Sequence, residues 1–397
     1  MDETLRATLD DTLRATLAKL DKAALRRRLR PLDSGIGPRV TVSGRSVIQL
    51  CSNDYLGLST HPLVKEAVIN AVSTYGSGAG SARLIVGTSP PHVQLEATLA
   101  KFKRTEAAVV LPSGYQANVG ILQALTGPGD VIFSDALNHA SIIDGCRLSR
   151  AQVEVYRHRD VDHLGTLLAA NSDARRRLII TETVFAMDGD LAPLNELVSV
   201  AKRYDASMAV DEAHATGIFG ATGAGLVEEY ELWDSIDVQI GTLSKAVGAL
   251  GGFIAGSRMV IDTVVNNART FVFTTGLPPM VAAAAQAAIQ IITDEPTLRT
   301  KLWRHASFLQ KHLVAAGYTV SETASPILPV LVGDSSSAVS LSETLLENGV
   351  LVPAIRPPTV PPGTARLRVT PMATHTESDL ATAVKVFTNA KQQFETL

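Results

Sequence analysis

The chain has 397 residues, 46% of them apolar, which is enough for two or three domains and too apolar for global disorder. Its formal net charge is −3 and its pI is near 6.3, which excludes the basic footprint of a nucleic-acid or anionic-membrane binder. Two cysteines, Cys51 and Cys146, exclude a disulfide framework and suit a reducing, cytoplasmic setting.

The first thirty residues read as helix. TLRATL occurs at Thr4 and again at Thr12, and leucines recur at helical spacing. The expectation is an amphipathic arm packed on the body and ended by Pro31. The start, MDETLRATLDD, is acidic and polar, unlike a signal or transit peptide. From about residue 105 short β-rich runs follow: AAVVL at 107, VIFS at 131, VEVY at 153, LIITE at 178, SMAVD at 207 and VQIG at 238. Helical segments separate most of them, which predicts an α/β fold with a mainly parallel central sheet flanked by helices. Three runs end in Glu182, Asp211 and Gly241 before a loop. In such sheets the ligand crevice lies off the carboxyl ends of the strands. MVAAAAQAAIQII from Met280 is too short to span a bilayer and reads as a packed helix. Beyond it, helices alternate with ILPVLV, GVLV and RLRVT, a smaller α+β pattern. The expected division is an arm over 1–48, a large α/β domain over 49–285 and a small C-terminal domain over 286–397.

Several motifs can be set aside. DEAH within VDEAH at 210–214 suggests a helicase box, but GGFIAGS from Gly251 lacks the phosphate-loop lysine. GSGAGSARL at 76–84 has Ser81 where a dinucleotide fingerprint needs its third glycine, so it reads as a glycine-rich turn. No HExxH, CxxC, EF-hand or GxSxG pattern is present, so no metal site and no serine hydrolase is expected.

Within IGTLSKAVGALGGFIAG, residues 240–256, Lys245 is the one charged side chain. Taken singly, Lys245 reads as a surface lysine, His214 as a core histidine and His139 as a polar helix start. Together, a strand-end Asp211, His214 three residues on and a lysine in a glycine-rich turn suit pyridoxal phosphate. That cofactor bonds a lysine as a Schiff base and needs a carboxylate to keep its pyridine nitrogen protonated. Its phosphate needs amides, hydroxyls and a helix N-terminus, which Ser113–Tyr115, Thr242 and Ser244 can supply. An apolar setting favours the neutral amine that attacks an aldehyde.

The sequence resembles the α-oxoamine synthases, fold-type I pyridoxal-phosphate enzymes, over nearly its whole length. The resemblance is carried by LRRR at 25, CSNDYLGLSTHP at 51, GSGAGSARLIVGT at 76, LPSGYQANVG at 111 and DALNHASIIDGCRLS at 135. It continues in VFAMDGDLAPL at 184, VDEAHATGIFG at 210, GTLSKAVGALGG at 241 and NARTFVFTTGLPP at 267. It implies that Lys245 holds the cofactor and exchanges protons at the substrate Cα. It implies that Asp211 pairs with the pyridine nitrogen, His214 bonds the ring hydroxyl oxygen and His139 stacks on the ring. Gly114, Tyr115, Thr242 and Ser244 would hold the phosphate. Thr274 and Thr275 would reach it from a second subunit, which implies a homodimer. Asn53 and Arg368 would hold the amino-acid carboxylate, and Arg26, Arg356 and Thr359 would line the acyl entry. IRPPTVPPGTARLRVT from Ile355 resembles the branch that condenses L-alanine with a pimeloyl thioester in biotin synthesis. Glycine C-acetyltransferase is the nearest rival. A non-catalytic partner subunit is the rival from another class, and it should lack the lysine. One departure stands out: Ala186 occupies the place of the family's usual serine in VFSMDGD.

Overall fold

The computed structural model describes residues 3–321 and 324–395. The chain divides into two compact units. The larger is formed by residues 53–186 and 190–302, the smaller by 1–52, 187–189 and 303–397.

The larger unit is built on a seven-stranded sheet. Its strands are β3 (Ala107–Leu111), β4 (Val131–Asp135), β5 (Gln152–Tyr156), β6 (Arg177–Glu182), β7 (Ser207–Asp211), β8 (Val238–Thr242) and β9 (Gly252–Gly256). Their order is β3-β9-β8-β7-β6-β4-β5. β4–β8 pair in parallel, and β9 alone runs antiparallel, between β3 and β8. All six β-rich runs read from the sequence become strands here. The seventh, GFIAG, was hidden in the glycine-rich stretch. Its glycines are packing positions: a Cβ at Gly252 would lie 2.5 Å from Ser113 O.

The larger unit's helices are α2 (Pro62–Tyr75), α3 (Pro90–Lys103), α4 (Gly114–Leu125), α5 (Ala140–Ser149), α6 (Val161–Ala170) and α7 (Leu194–Arg203). They continue with α8 (Leu226–Glu229), α9 (Arg258–Asn267), α10 (Arg269–Val272) and α11 (Pro279–Asp294). Pro90 opens α3 and Ser113 caps α4, where it accepts from Gln116 N. The core joins Val109, Leu111, Ile132, Ile180, Val238, Ile240 and Ile254 of the strands to Ile121, Leu122, Ile142 and Phe271 of the helices. Strands buried on both faces read as unbroken apolar runs, which is why β3, β4, β6, β7 and β8 were legible; β5, at the sheet edge, is partly exposed.

The smaller unit holds α1 (Glu3–Lys22), β1 (Arg39–Val42) and β2 (Arg45–Gln49). It also holds β10 (Leu328–Gly333), α13 (Ser335–Glu347), β11 (Val350–Leu351), β12 (Ala354–Ile355), β13 (Ala365–Val369) and α14 (Glu377–Glu395). Helix α12 (Pro296–Ala315) carries the chain into it. Two three-stranded sheets form, ordered β1-β2-β11 and β10-β13-β12. Leu309, Leu313, Leu341, Leu345 and Phe387 pack on Leu328, Val330, Leu367 and Val369.

The two compact units divide at 52/53 and 302/303, and α11 packs on α2 and α3 of the larger unit. One expectation is corrected. Helix α1 ends at Lys22, and its Leu9, Leu13 and Leu17 are exposed rather than packed. Periodicity announces an apolar face but does not name what covers it.

Candidate active site

The larger unit brings the expected cofactor residues to one edge of its sheet. Asp211 ends β7 and is buried. One carboxylate oxygen accepts from Asn118 Nδ2 of α4 at 2.7 Å, the other from Ala213 N at 2.8 Å. Asn118 also donates to Ser141 Oγ at 2.9 Å, and its own Oδ1 is buried with no protein partner. His139 caps α5: its Nδ1 accepts from Ser141 N at 3.2 Å and lies 2.7 Å from Ser141 Oγ. With Nδ1 accepting, the neutral ring carries its proton on Nε2. Burial holds the His139 pKa below its ordinary value; the Lys245 charge adds to this and Asp211 opposes it. The side chain is therefore a flat, uncharged ring at neutral pH.

His214 is buried in the turn after β7, with Nδ1 2.9 Å from the Tyr55 hydroxyl. That hydroxyl lies 3.3 Å from Asn53 Oδ1, so a polar chain links His214 to an expected substrate residue. Glu182 ends β6 directly opposite Asp211 in the register. Burial first, then Asp211 repulsion, holds the Glu182 carboxyl well above the usual carboxylate range, with Lys245 opposing. The strand-end rule pointed at Glu182 without a role. Asn118, Ser141 and Tyr55 lay inside quoted motifs, but no spacing distinguished them.

Lys245 stands half-buried in the turn between β8 and β9. The turn is locked by Leu243 N to Gly251 O at 2.9 Å, Ala249 N to Leu243 O at 2.8 Å and Gly248 N to Lys245 O at 2.8 Å. Gly248 has φ +70° and Gly251 φ +128°, both conformations that favour glycine. Thr242 Oγ1 donates to Gly251 O at 2.8 Å, and Ser244 Oγ lies 3.2 Å from the same oxygen. In this structure both hydroxyls serve the turn.

The residues fit pyridoxal phosphate. At the α4 N-terminus the amides of Gly114 and Tyr115 have no intrahelical acceptor, as in any first turn. A Cβ at Gly114 would come 3.2 Å from Thr242 Cβ, so glycine lets this turn approach the β8 end closely. An anion there meets aligned amides and the positive end of the helix dipole. Tyr115 is largely exposed, and its hydroxyl donates to Asp144. Thr274 is half-buried and Thr275 exposed on the loop after α10, where Thr275 bridges to Ala82. Neither belongs to the Asp211 network.

A sequence model of the aminotransferase class I and II family matches residues 45–387. The chain belongs to that family. Within it, an 8-amino-7-oxononanoate synthase from Geobacter sulfurreducens is 50% identical over 369 residues, 92% of this chain and 94% of that protein. A serine palmitoyltransferase from Sphingomonas wittichii superposes with a TM-score of 0.93 at 34% identity, covering all of both chains. Another such structure, holding its pyridoxal phosphate as an internal aldimine, gives 0.93 at 34% identity, with 98% and 99% covered. The fold is that of the fold-type I pyridoxal-phosphate transferases, and the chain is an enzyme of this acyl-transferring kind. Among the described residues no helix is long and apolar enough to cross a membrane.

The remaining family residues lie in the smaller unit. Arg368 is buried on β13, and its charge reaches Cys51. Arg356 donates to Ala24 O, and Arg27 lies 3.4 Å from Thr359 Oγ1. The segment at 24–27 thus meets the turn at 355–359, and Arg27, not singled out from the sequence, belongs with them. Burial, then repulsion from Arg27, holds the Arg356 pKa below its ordinary value. Arg26 instead pairs with Asp21 at 2.6 Å.

Proposed function

We propose that this chain condenses L-alanine with a pimeloyl thioester, releasing CO2 and the free thiol and forming 8-amino-7-oxononanoate for biotin synthesis. The observation that carries the chemistry is the fixed Asp211 carboxylate, with an amide donor on each oxygen, at the strand edge that also bears Lys245. Identity of 50% with the oxononanoate synthase, against 34% with the palmitoyltransferase, supports the substrate choice.

Pyridoxal phosphate, when bound, supplies an electron sink for charge developing at the amino-acid Cα. The α4 amides of Gly114 and Tyr115 would hold its phosphate, and Lys245 would attach it. Asp211 would serve as the carboxylate partner that keeps its pyridine nitrogen protonated. The raised pKa of Glu182 keeps a second negative charge from crowding Asp211 at neutral pH. His139, held neutral, offers its ring face, and His214 with Tyr55 offers a hydrogen-bonding nitrogen for the ring oxygen. Lys245 Nζ takes the Cα proton of alanine and later returns one. Between these steps Cα bonds the acyl carbonyl carbon, the C–S bond breaks, and the alanine carboxylate leaves as CO2. Arg368 and Asn53 hold that carboxylate beforehand; a guanidinium fork can bond both oxygens.

The reading includes a homodimer in which Thr274 and Thr275 serve the partner's phosphate. Exposed Leu63, Ile69, Ile85, Val86 and Val93 on the larger unit support a covered apolar face. It also includes a cytoplasmic location, which two free cysteines suit.

The high structural likeness to serine palmitoyltransferase favours one second reading, L-serine with a long acyl thioester. The test is free-thiol release from pimeloyl-CoA with L-alanine, beside palmitoyl-CoA with L-serine and acetyl-CoA with glycine. Release in the first pair alone is expected. Release only in another pair keeps the Lys245 chemistry and overturns the substrate choice.

A further inference from the structure

One buried charged pair takes no part in this mechanism. Lys103, the last residue of α3, and Glu212, which follows Asp211, are both 0% exposed. Lys103 Nζ donates to Glu212 Oε2 at 2.8 Å, to Thr216 Oγ1 at 2.9 Å and to Ala224 O. Glu212 Oε1 accepts from Val227 N at 3.0 Å. All three ammonium protons have an acceptor, and each oxygen of the carboxylate has a donor. The loop at 215–227 closes on the pair so tightly that a Cβ at Gly225 would stand 2.4 Å from the Glu212 carboxylate.

A buried ion pair is weak evidence for stability, since an apolar pair of similar volume often serves as well or better. Its placement suggests another use. Successive side chains of a strand point to opposite faces. Accordingly Asp211 meets Asn118 of α4, while Glu212 meets Lys103 of α3. The end of β7 is gripped from both sides, and the Glu212 amide is held besides by Ile240 O of β8 at 2.8 Å. A twist of this strand end would turn both carboxylates together and carry the His214 turn with them.

We propose that Lys103 and Glu212 are positioning residues, whose buried pair sets the orientation in which Asp211 and His214 meet the cofactor ring. This rests on the cofactor reading above. Neither residue touches the ring; they act through the backbone at 211–214. An apolar pair would fill the same space but leave the strand end free to rotate.

The test is the double variant Lys103→Met/Glu212→Leu, compared with the parent protein. It should melt, without cofactor, within a few degrees of the parent or above it. The pyridoxal phosphate dissociation constant, read by absorbance titration, should rise about tenfold or more, and the visible band of the bound cofactor should shift. The kcat should fall about tenfold or more, with KM for alanine changing less. A milder variant, Thr216→Val, removes one acceptor and should raise the dissociation constant about two- to fivefold; it decides the matter if the double variant does not fold. An unchanged dissociation constant, band and kcat in the folded variants would make the pair purely structural and overturn the inference. A parent that binds no pyridoxal phosphate would instead sink the cofactor reading.

Discussion

The end of β7 in the larger unit and the segment at residues 27–30 of the smaller unit handle charge in opposite ways. At the end of β7 the carboxylates of Asp211 and of Glu212 beside it are buried and each is tied to a neighbour, Asp211 to Asn118 and Glu212 to Lys103. In the smaller unit Arg27, Arg28 and Arg30 are exposed, and none of the three has an ion-pair partner among the described residues. Arg27 and Arg356 are close enough to repel. The difference fits the two tasks proposed above. Proton transfer at a carbon needs geometry fixed to fractions of an ångström and charges that keep their state. Reception of an anionic acyl thioester needs an excess of positive charge, which a long exposed side chain supplies at little desolvation cost.

Substitutions should break this contrast in graded fashion. Lys245→Ala should have the largest effect, a loss of turnover of roughly 10⁴-fold or more, because attachment and proton transfer both use one nitrogen. Thiol release and the visible absorbance of the bound cofactor check it, and retained turnover would remove the proposed mechanism. Asp211→Asn should leave the cofactor bound but slow exchange of the alanine Cα proton by about 10²- to 10³-fold. Exchange into deuterated water, followed by NMR, measures this; a normal rate would exclude the assigned role. Arg356→Ala should act on the other side of the contrast. It should raise KM for pimeloyl-CoA by about tenfold and leave KM for alanine unchanged. A shift in the alanine KM instead would place Arg356 with the amino acid.

The smallest effect should be on stability alone. His158 Nδ1 lies 2.8 Å from Asp135 Oδ1 and Nε2 2.9 Å from Asp190 Oδ2. Burial disfavours its charge, but the two carboxylates prevail and push its pKa up to about 9 from 6.5. A raised folded-state pKa contributes fully below the unfolded value and is lost as pH rises through the folded one. The stabilisation, about 2 kcal/mol after screening, should therefore be present near pH 6 and fade between about pH 6.5 and pH 9. Melting midpoints of the parent should fall over that window more steeply than those of His158→Gln. Parallel curves would show that the ring is not charged in the folded protein.

How much could be read beforehand differed by element. Six strands of the sheet were visible as β-rich runs, five of them largely buried, while β5 at the sheet edge is partly exposed and was legible by its alternating β-branched residues. β9 was not, because two of its five residues are glycines at close-packing positions, Gly252 against the start of α4 and Gly256 against Asp237 O, rather than residues of high strand propensity. Asp211, His214, His139 and Lys245 were legible through residue type, strand-end position and family motifs. Lys103 was not: in KFKR it looks like one more surface cation, and only the fold turns it inward toward Glu212. Ala186 remains buried at the edge of the larger unit, where the chain crosses to 187–189, and the structure gives no account of the missing hydroxyl.

Read alone, the amino-acid order determined the α/β class and the cofactor, and it named the residues proposed to meet it. Those depend on local period and on the chemical character of single side chains. Tertiary structure decided the rest: which carboxyls are buried side by side, which lysine is buried, where the units divide and which arginines gather. These depend on distances between residues far apart in the chain, and local pattern carries no record of such distances until packing sets them.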